Sequence, residues 1–358
     1  MTVQNWFWSV TTFLLGICIG SFLNVVIWRL PRNGSLTKPQ WSYCPSCGHQ
    51  LSALDLFPLL SYLICGRKCR YCKKPISSRY FWVELITGIL FLVVYLRFRE
   101  EPANAIALTA FIALLVPMYC IDMELFEIPP QLNILAFIVA FARDMYGFAT
   151  HEPGHALLYG WLPASLLGGA AGIAVFGSVR VLGWVWKRQE AMGLGDVLLA
   201  RAMGAMLVSI TPVGMSVLRL IPIWAILCCG SGAIVGPAMI YLRGKRAKSA
   251  NVPQVQPESE GESTPEEESN LLMELRWIGY VLWFEDILDY FRDKLAARHG
   301  VDVKPTIDED AWVPAPSAIP FGPFMVVGFL AAMLVGEPFT AMYLAYAFPK
   351  QVVLSPGS

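Results

Sequence analysis

The chain has 358 residues, of which 56% are hydrophobic and 15% are charged, and its formal net charge is zero. Its mean hydropathy is +0.52. This composition excludes a soluble globular protein of average make-up. The balanced charge gives no indication of nucleic-acid binding. We therefore predict an all-α polytopic membrane protein that lies in the lipid bilayer and binds no nucleic acid.

Long apolar runs recur along the whole chain. A hydrocarbon core of ~30 Å is crossed by about 20 residues of helix. The first run lacks a preceding basic segment and a small-residue cleavage site, so it predicts a retained helix rather than a cleaved signal. We predict about eight transmembrane helices, of which the sixth is the least typical because it contains Arg201. The eight runs are 6–28, 80–97, 104–122, 131–148, 157–186, 197–215, 219–242 and 318–338.

Basic residues in short loops predict the orientation of these helices. The loop between the first two helices is rich in Lys and Arg and contains a single acidic residue, Asp55. Such loops lie on the cytoplasmic side of a membrane. Alternation of the helices then puts Asp122, Asp196 and the basic stretch 243–248 on that same side. The two aspartates are therefore predicted to lie at one membrane face.

These features divide the chain into five predicted segments. The large insert before the last helix contains a Pro/Glu/Ser-rich tract at 251–269, which predicts disorder. Apolar residues at helical spacing over 271–295 then predict an amphipathic helix. The segments are a first transmembrane helix (1–30), a cytoplasmic cysteine loop (31–79), a transmembrane core (80–243), an inserted cytoplasmic acidic linker with its amphipathic helix (244–316), and a last transmembrane helix with a tail (317–358).

Four cysteines in the first loop have the spacing of metal ligands, C-x2-C-x21-C-x2-C. Each half can bring two thiolates onto one tetrahedral zinc. Two disulfides are the alternative, but a cytoplasmic loop is kept reduced. The nearby His49 and Cys65 are not needed, because four thiolates already complete such a site. We predict a small zinc-knuckle domain whose ligands are Cys44, Cys47, Cys69 and Cys72.

Two aspartates at the ends of apolar runs are the candidate catalytic residues. Asp196 follows two glycines, Gly193 and Gly195, which would let a substrate backbone approach closely. Ionisable groups in such runs are functional candidates, although either acid alone could equally cap a helix. Asp122 and Asp196 together predict an aspartyl hydrolase, because two carboxylates that share a site divide the work of base and acid.

Two other classes of protein remain open from these residues. A transporter or channel could use its intramembrane acids to bind ions, although such acids lie near the midplane in broken helices. A catalytically inactive scaffold is the second alternative.

Two further acids, Glu124 and Glu127, are predicted to be loop residues, with Glu124 close enough to support the catalytic pair.

Five blocks of sequence resemble the type IV prepilin peptidases, which are bifunctional leader peptidases and N-methyltransferases. The resemblance covers nearly the whole chain outside about 244–316. The blocks occur in the family's order and include the cysteine loop and both aspartate segments. They are residues 20–31, 44–85, 122–129, 193–196 and 319–324.

The resemblance implies a multi-pass aspartyl protease of the GxGD type in the bacterial cytoplasmic (inner) membrane. Its substrates would be type IV prepilin and pseudopilin precursors, and S-adenosylmethionine would be the methyl donor. Asp122 and Asp196 correspond to the family's catalytic acids, which work at the cytoplasmic face. Leu198 replaces a usual lysine and Pro130-Gln131 replaces the common Pro-Asp or Pro-Asn, but both acids are kept. A peptidase that does not methylate is the alternative within this family.

Overall fold

The computed structural model describes residues 3–39, 41–44, 46–152, 163–187, 192–210, 216–249 and 320–347. Within these ranges the chain is helical, with one short 3₁₀-helix (Ala53–Leu56) and two isolated bridges in the cysteine loop. The α-helices of the described ranges are α1 (Val3–Arg29), α2 (Leu60–Ile64), α3 (Ser78–Phe98), α4 (Pro102–Leu125), α5 (Pro130–Ala149), α6 (Ala164–Lys187), α7 (Leu194–Ser209), α8 (Ser216–Ser249) and α9 (Gly322–Ala347).

The predicted class, an all-α polytopic membrane protein, is confirmed. Six of the described helices are long and apolar enough to cross a membrane: α1, α3, α4, α5, α6 and α8. Helix α7 falls short of this measure, since it has 16 residues, or about 24 Å at ~1.5 Å per residue. Helix α9 has 26 residues, and the apolar stretch within its described side chains is Gly322–Leu334.

Contacts within the chain divide it into two compact units. The first contains the described residues up to Gly230 and those from Pro320 onward. The second begins at Ser231, and its described part is the second half of α8, which continues past the predicted end at residue 242 to Ser249. The acidic tract at 251–269 and the amphipathic helix at 271–295 lie outside the described residues and stay predictions.

Helices α1 and α3 pack with their backbones in close contact. A Cβ atom added at Gly16 would lie 2.7 Å from the Cα atom of Gly88, and one added at Gly20 would lie 2.8 Å from the Cα atom of Glu84. Small residues allow such an approach, and dispersion contacts stabilise it in a lipid environment that offers no hydrophobic drive between helices. This contact fixes the two helices that flank the cysteine loop.

Helix α7 lies at the centre of the first unit. All of its residues from Val197 to Ser209 are buried. A Cβ atom at Gly168 of α6 would clash with the carbonyl oxygen of Gly204, so α6 and α7 also meet backbone to backbone. Arg201, which made this helix atypical, is buried with its guanidinium 5.3 Å from the centre of the Phe137 ring. The charged residue therefore faces protein rather than lipid.

A polar cluster holds the far end of α7. Arg143 donates from Nε to Asn104 Oδ1 at 2.6 Å and from Nη2 to Glu152 Oε2 at 2.6 Å. Asn104 Nδ2 donates to the carbonyl oxygen of Ile210 at 3.2 Å, directly after the end of α7. Asn104 belongs to the first turn of α4, so this cluster lies at the opposite end of α4 from Asp122.

Candidate active site

Asp122 lies in the last turn of α4. The helix ends at Leu125 because Phe126 adopts a left-handed conformation with φ of 58° and donates its N–H to the Asp122 carbonyl oxygen at 2.9 Å. Pro130 then occupies the first turn of α5, a position that a proline tolerates well. Asp122 is only 5% exposed. The C-terminal turn of α4 thus holds a carboxyl group away from bulk solvent.

Asp196 lies in the first turn of α7. The helix begins after Gly193, and the Asp196 carboxylate reaches back toward the Gly193 N–H, as the third residue of a helix does in a capping box. Asp196 is half-buried. The N-terminus of a helix favours negative charge, so α7 stabilises the Asp196 carboxylate.

Gly322, the first residue of α9, brings the two acids to one point. A Cβ atom at Gly322 would clash with Asp122 Oδ2 and lie 3.4 Å from Asp196 Oδ1. The Gly322 N–H faces both carboxyl groups. Asp122 Oδ2 has no hydrogen-bond partner among the described residues. The ends of α4, α7 and α9 therefore meet around a pair of carboxyl groups with an acceptor oxygen left for a ligand or water.

The two glycines before Asp196 line this site. A Cβ atom at Gly195 would lie 3.4 Å from Ile128 Cβ, and one at Gly193 would lie 3.5 Å from Asp196 Oδ2. Gly195 therefore lets the start of α7 approach the segment between α4 and α5. This contact links the two acid-bearing segments.

Glu124 was predicted to be a loop residue, but the structure places it in a helix. It lies in the last turn of α4, and its two carboxylate oxygens accept hydrogen bonds from Arg79 Nη1 at 2.7 and 2.6 Å. Helix α4 continues three residues beyond the predicted end of the apolar run at 122, and the left-handed residue Phe126 ends it. Glu124 therefore joins α4 to the start of α3 instead of supporting the aspartate pair.

Asn133 is a positioning residue that the sequence did not indicate. With its amide oriented to satisfy both groups, Nδ2 donates to the Leu198 carbonyl oxygen and Oδ1 accepts from the Leu199 N–H, each at 3.0 Å. Asn133 is 2% exposed and lies in the first turn of α5. It therefore holds the turn after Asp196 against α5.

The four predicted cysteines form one cluster. Their sulfur atoms all lie within 4.8 Å of one another, and Cys44 Sγ and Cys72 Sγ are 3.9 Å apart. A tetrahedral zinc with Zn–S bonds of ~2.3 Å separates its sulfurs by ~3.8 Å. The residues present therefore fit a metal ion held by four thiolates, and the described residues place neither His49 nor Cys65 in the cluster.

Both halves of the cluster have the same backbone turn. Gly48 N–H donates to the Cys44 carbonyl oxygen at 2.8 Å, and Lys73 N–H donates to the Cys69 carbonyl oxygen at 3.0 Å. Gly48 and Lys73 both have positive φ, 69° and 61°. The N–H groups of Cys72 and Tyr71 lower the pKa of the Cys69 thiol to about 7 against the effect of burial. The second turn thus favours the thiolate form of Cys69, the form that metals require.

Asp55 ties the 3₁₀-helix to the second turn. Its carboxylate accepts from Ser52 Oγ at 2.7 Å and from the Tyr71 hydroxyl at 2.9 Å, and it pairs with Arg70 Nε at 3.1 Å. The hydrogen bonds from Ser52 and Tyr71 and the charge of Arg70 lower the pKa of the Asp55 carboxyl. The single acid of the loop therefore braces the cysteine cluster.

Helices of membrane-spanning length, a pair of carboxyl groups and a four-cysteine cluster define a class of multi-pass membrane protein with two separate chemical centres. The family model "Bacterial Peptidase A24 N-terminal domain" matches residues 14–98. A prepilin leader peptidase/N-methyltransferase of Myxococcus xanthus is 30% identical over 355 residues, which are 98% of this chain and 95% of that protein. The chain therefore belongs to the prepilin leader peptidase/N-methyltransferase family.

Two further relatives carry the same name. The protein of Aeromonas hydrophila is 32% identical over 66% of this chain and 83% of its own length. That of Vibrio cholerae is 31% identical over 54% of this chain and 75% of its own length. No solved structure matches the chain at a significant level. The family predicted from the sequence blocks is confirmed.

Proposed function

We propose that this protein is a membrane aspartyl endopeptidase that removes the leader peptide of type IV prepilin and pseudopilin precursors and N-methylates the new N-terminal residue. The names of its relatives support both activities. The observation that carries the proposal is the meeting of Asp122 Oδ2 and Asp196 Oδ1 beside Gly322. We assign these two aspartates as the catalytic residues.

The two acids take different roles in peptide hydrolysis. Asp196 lies at the positive end of the α7 dipole, whereas Asp122 lies near the negative end of α4, so negative charge is favoured on Asp196. Asp196 then takes a proton from water as the water oxygen attacks the scissile carbonyl carbon. Asp122 gives its proton to the carbonyl oxygen. When the tetrahedral intermediate collapses, Asp196 gives its proton to the leaving amine and a hydroxyl group of the intermediate returns a proton to Asp122. The products are the leader carboxylate and the free amine of the mature pilin.

The cysteine cluster has a structural role in this proposal. Four thiolates leave no open coordination position, which is the pattern of structural rather than catalytic zinc. Cys44, Cys47, Cys69 and Cys72 would hold the ion and fix the fold of segment 31–79. We assign methyl transfer to the region of this segment, with S-adenosylmethionine as donor, and leader cleavage to segment 80–243 with the start of α9.

The site faces the cytoplasm in this proposal. The Lys- and Arg-rich loop next to the cysteine cluster supports that orientation, and the bacterial cytoplasmic (inner) membrane is the location that fits the substrates. Prepilin precursors then present their leader from the same side as Asp122 and Asp196.

Substitution of each acid by its isosteric amide tests the proposal. We expect Asp122→Asn and Asp196→Asn each to lower cleavage of a synthetic prepilin by the purified protein by ~10²-fold or more, because an amide cannot act as base or acid. Glu100→Gln is the control, since Glu100 is exposed and pairs with Arg99 outside the proposed site. Substantial residual cleavage by either aspartate variant would exclude the pair as the catalytic centre. Failure of the unaltered protein to cleave would favour a transporter or scaffold.

A further inference from the structure

Helices α1 and α3 and the cysteine loop border a cavity of about 450 Å³. This volume lies in the ~300–1,000 Å³ range of small-molecule sites. Neither Asp122 nor Asp196 lines the cavity, so it is distinct from the proposed peptidase centre.

A buried carboxylate forms part of the cavity wall. Glu84 is 8% exposed, its Oε2 atom accepts the Leu59 N–H at 2.7 Å, and the Ser21 hydroxyl points toward the same carboxyl group. No Arg, Lys or His of the described residues forms an ion pair with Glu84. A buried carboxylate without a counter-charge is costly, and a positively charged ligand in the cavity would supply the missing charge.

Asn24 adds a second acceptor to the same wall. Its Nδ2 atom donates to the carbonyl oxygens of Gly20 at 3.3 Å and Tyr80 at 3.2 Å. Its Oδ1 atom has no partner among the described residues, although the residue is only 3% exposed. Because buried acceptors are normally satisfied, Asn24 Oδ1 is available to a bound molecule.

The arginines that line the cavity are occupied elsewhere. Arg29 donates to backbone carbonyls of the cysteine loop. Arg79 is paired with Glu124, and Arg70 is paired with Asp55. Lys68 and Lys74 of the cysteine loop also line the cavity, but neither forms an ion pair with Glu84. Trp28, Tyr43, Tyr62 and Tyr80 supply aromatic faces to the same cavity.

We propose that this cavity binds S-adenosylmethionine with its sulfonium group against the Glu84 carboxylate and the Asn24 amide oxygen. The proposal rests on the proposed N-methyltransferase function. A sulfonium carries a full positive charge but no N–H or O–H donor, so it needs nearby acceptor oxygens rather than a directional hydrogen bond. The aromatic side chains suit the adenine ring, which stacks on such faces.

The same contact favours turnover. In the transfer, the lone pair of the pilin amine forms the new N–C bond while the C–S bond breaks and its electron pair stays on sulfur. The amine then loses a proton to water. The sulfur becomes a neutral thioether, so its attraction to Glu84 disappears and the product is held less tightly than the donor. Glu84 and Asn24 therefore favour binding of the charged sulfonium donor over the neutral thioether product.

Calorimetric titration of the purified full-length protein with S-adenosylmethionine and with S-adenosylhomocysteine tests the placement. We expect Glu84→Gln to weaken binding of the sulfonium compound about tenfold or more, the size of one lost charge-assisted contact. Binding of the neutral thioether should change by less than about threefold. Glu100→Gln is the matched control and should alter neither affinity. Leader cleavage and zinc content report that each variant is folded.

A second variant tests the cavity without changing Glu84. Ser61 of α2 lines the cavity and is half-buried, so Ser61→Phe should fill part of the volume and weaken both compounds to a similar degree. Unchanged affinities in Ser61→Phe and Glu84→Gln would overturn the cavity as the donor site. An equal loss of both compounds in Glu84→Gln would overturn the sulfonium contact. If the unaltered protein cleaves leaders but binds neither compound, the methyltransferase part of the proposed function itself fails.

Discussion

At the scale of single residues, Gly322 is the part of the candidate site that was not predicted as a site residue. We expect Gly322→Ala to abolish most leader cleavage, because the added methyl group would clash with Asp122 Oδ2 and push the two acids apart. Misplacement of a catalytic group by ~1 Å can cost ~10²-fold in rate. The measurement is the cleavage rate of the purified variant beside its thermal midpoint.

Gly230→Ala is the control for this prediction. Gly230 lies within α8 and a Cβ atom there meets nothing within 4 Å, so alanine should be tolerated and should favour the helix by about 1 kcal/mol. If Gly322→Ala cleaves as fast as Gly230→Ala, the close approach of α9 to Asp122 has no part in catalysis.

The sequence could reveal the two aspartates as site residues, but it could not reveal the role of Gly322. An acid at the end of an apolar run is conspicuous because lipid solvates it poorly, so Asp122 and Asp196 could be singled out. Gly322 belongs to the block 319–324 of the family resemblance, but its place between a Phe and a Pro indicates only the start of a helix. Its contact with both acids depends on how α9 packs against α4 and α7, and no local pattern encodes that packing.

At the scale of structural elements, the cysteine cluster should behave as one unit. We expect each of Cys44→Ser, Cys47→Ser, Cys69→Ser and Cys72→Ser to lose about one equivalent of zinc, because a structural site needs all of its ligands. Cys65→Ser is the matched control, since Cys65 is in the same loop but outside the cluster. Zinc retained at full occupancy in any of the four variants would contradict the assignment of ligands.

The helices themselves were largely predictable from the apolar runs. Each predicted run overlaps a described helix, and six of these helices are long and apolar enough to cross a membrane, because about 20 apolar residues have few alternatives in lipid. The ends were less predictable. Helix α4 runs on to Leu125 because the left-handed Phe126 sets its end, and α8 continues into a basic stretch that hydropathy alone excludes.

At the scale of the whole molecule, the orientation in the membrane is open to a direct test. We expect the cysteine introduced by Leu54→Cys to react with a membrane-impermeant thiol reagent only after the cells are permeabilised, because the basic cysteine loop should be cytoplasmic. Leu54 is 70% exposed and lies outside the cysteine cluster. Glu100→Cys, in the connection between α3 and α4, should react in intact cells.

The parent protein, with its own cysteines, gives the background for both measurements. The reverse pattern, with Leu54→Cys labelled in intact cells and Glu100→Cys protected, would overturn the proposed orientation. It would also place Asp122 and Asp196 at the outer face, since the proposed orientation puts both acids on the same side of the membrane as the cysteine loop.

The enclosure of α7 has a consequence for how the chain enters the membrane during synthesis. A nascent helix partitions into lipid according to its own length and apolarity, and a central arginine costs ~2.5–3.5 kcal/mol in that step. Helix α7 has 16 residues and carries Arg201 in its interior. Its glycine contact with α6 supplies a partner that has already been synthesised. We therefore expect α7 to insert as a hairpin with α6, and a nascent chain that lacks α6 to leave the Asp196 helix outside the bilayer.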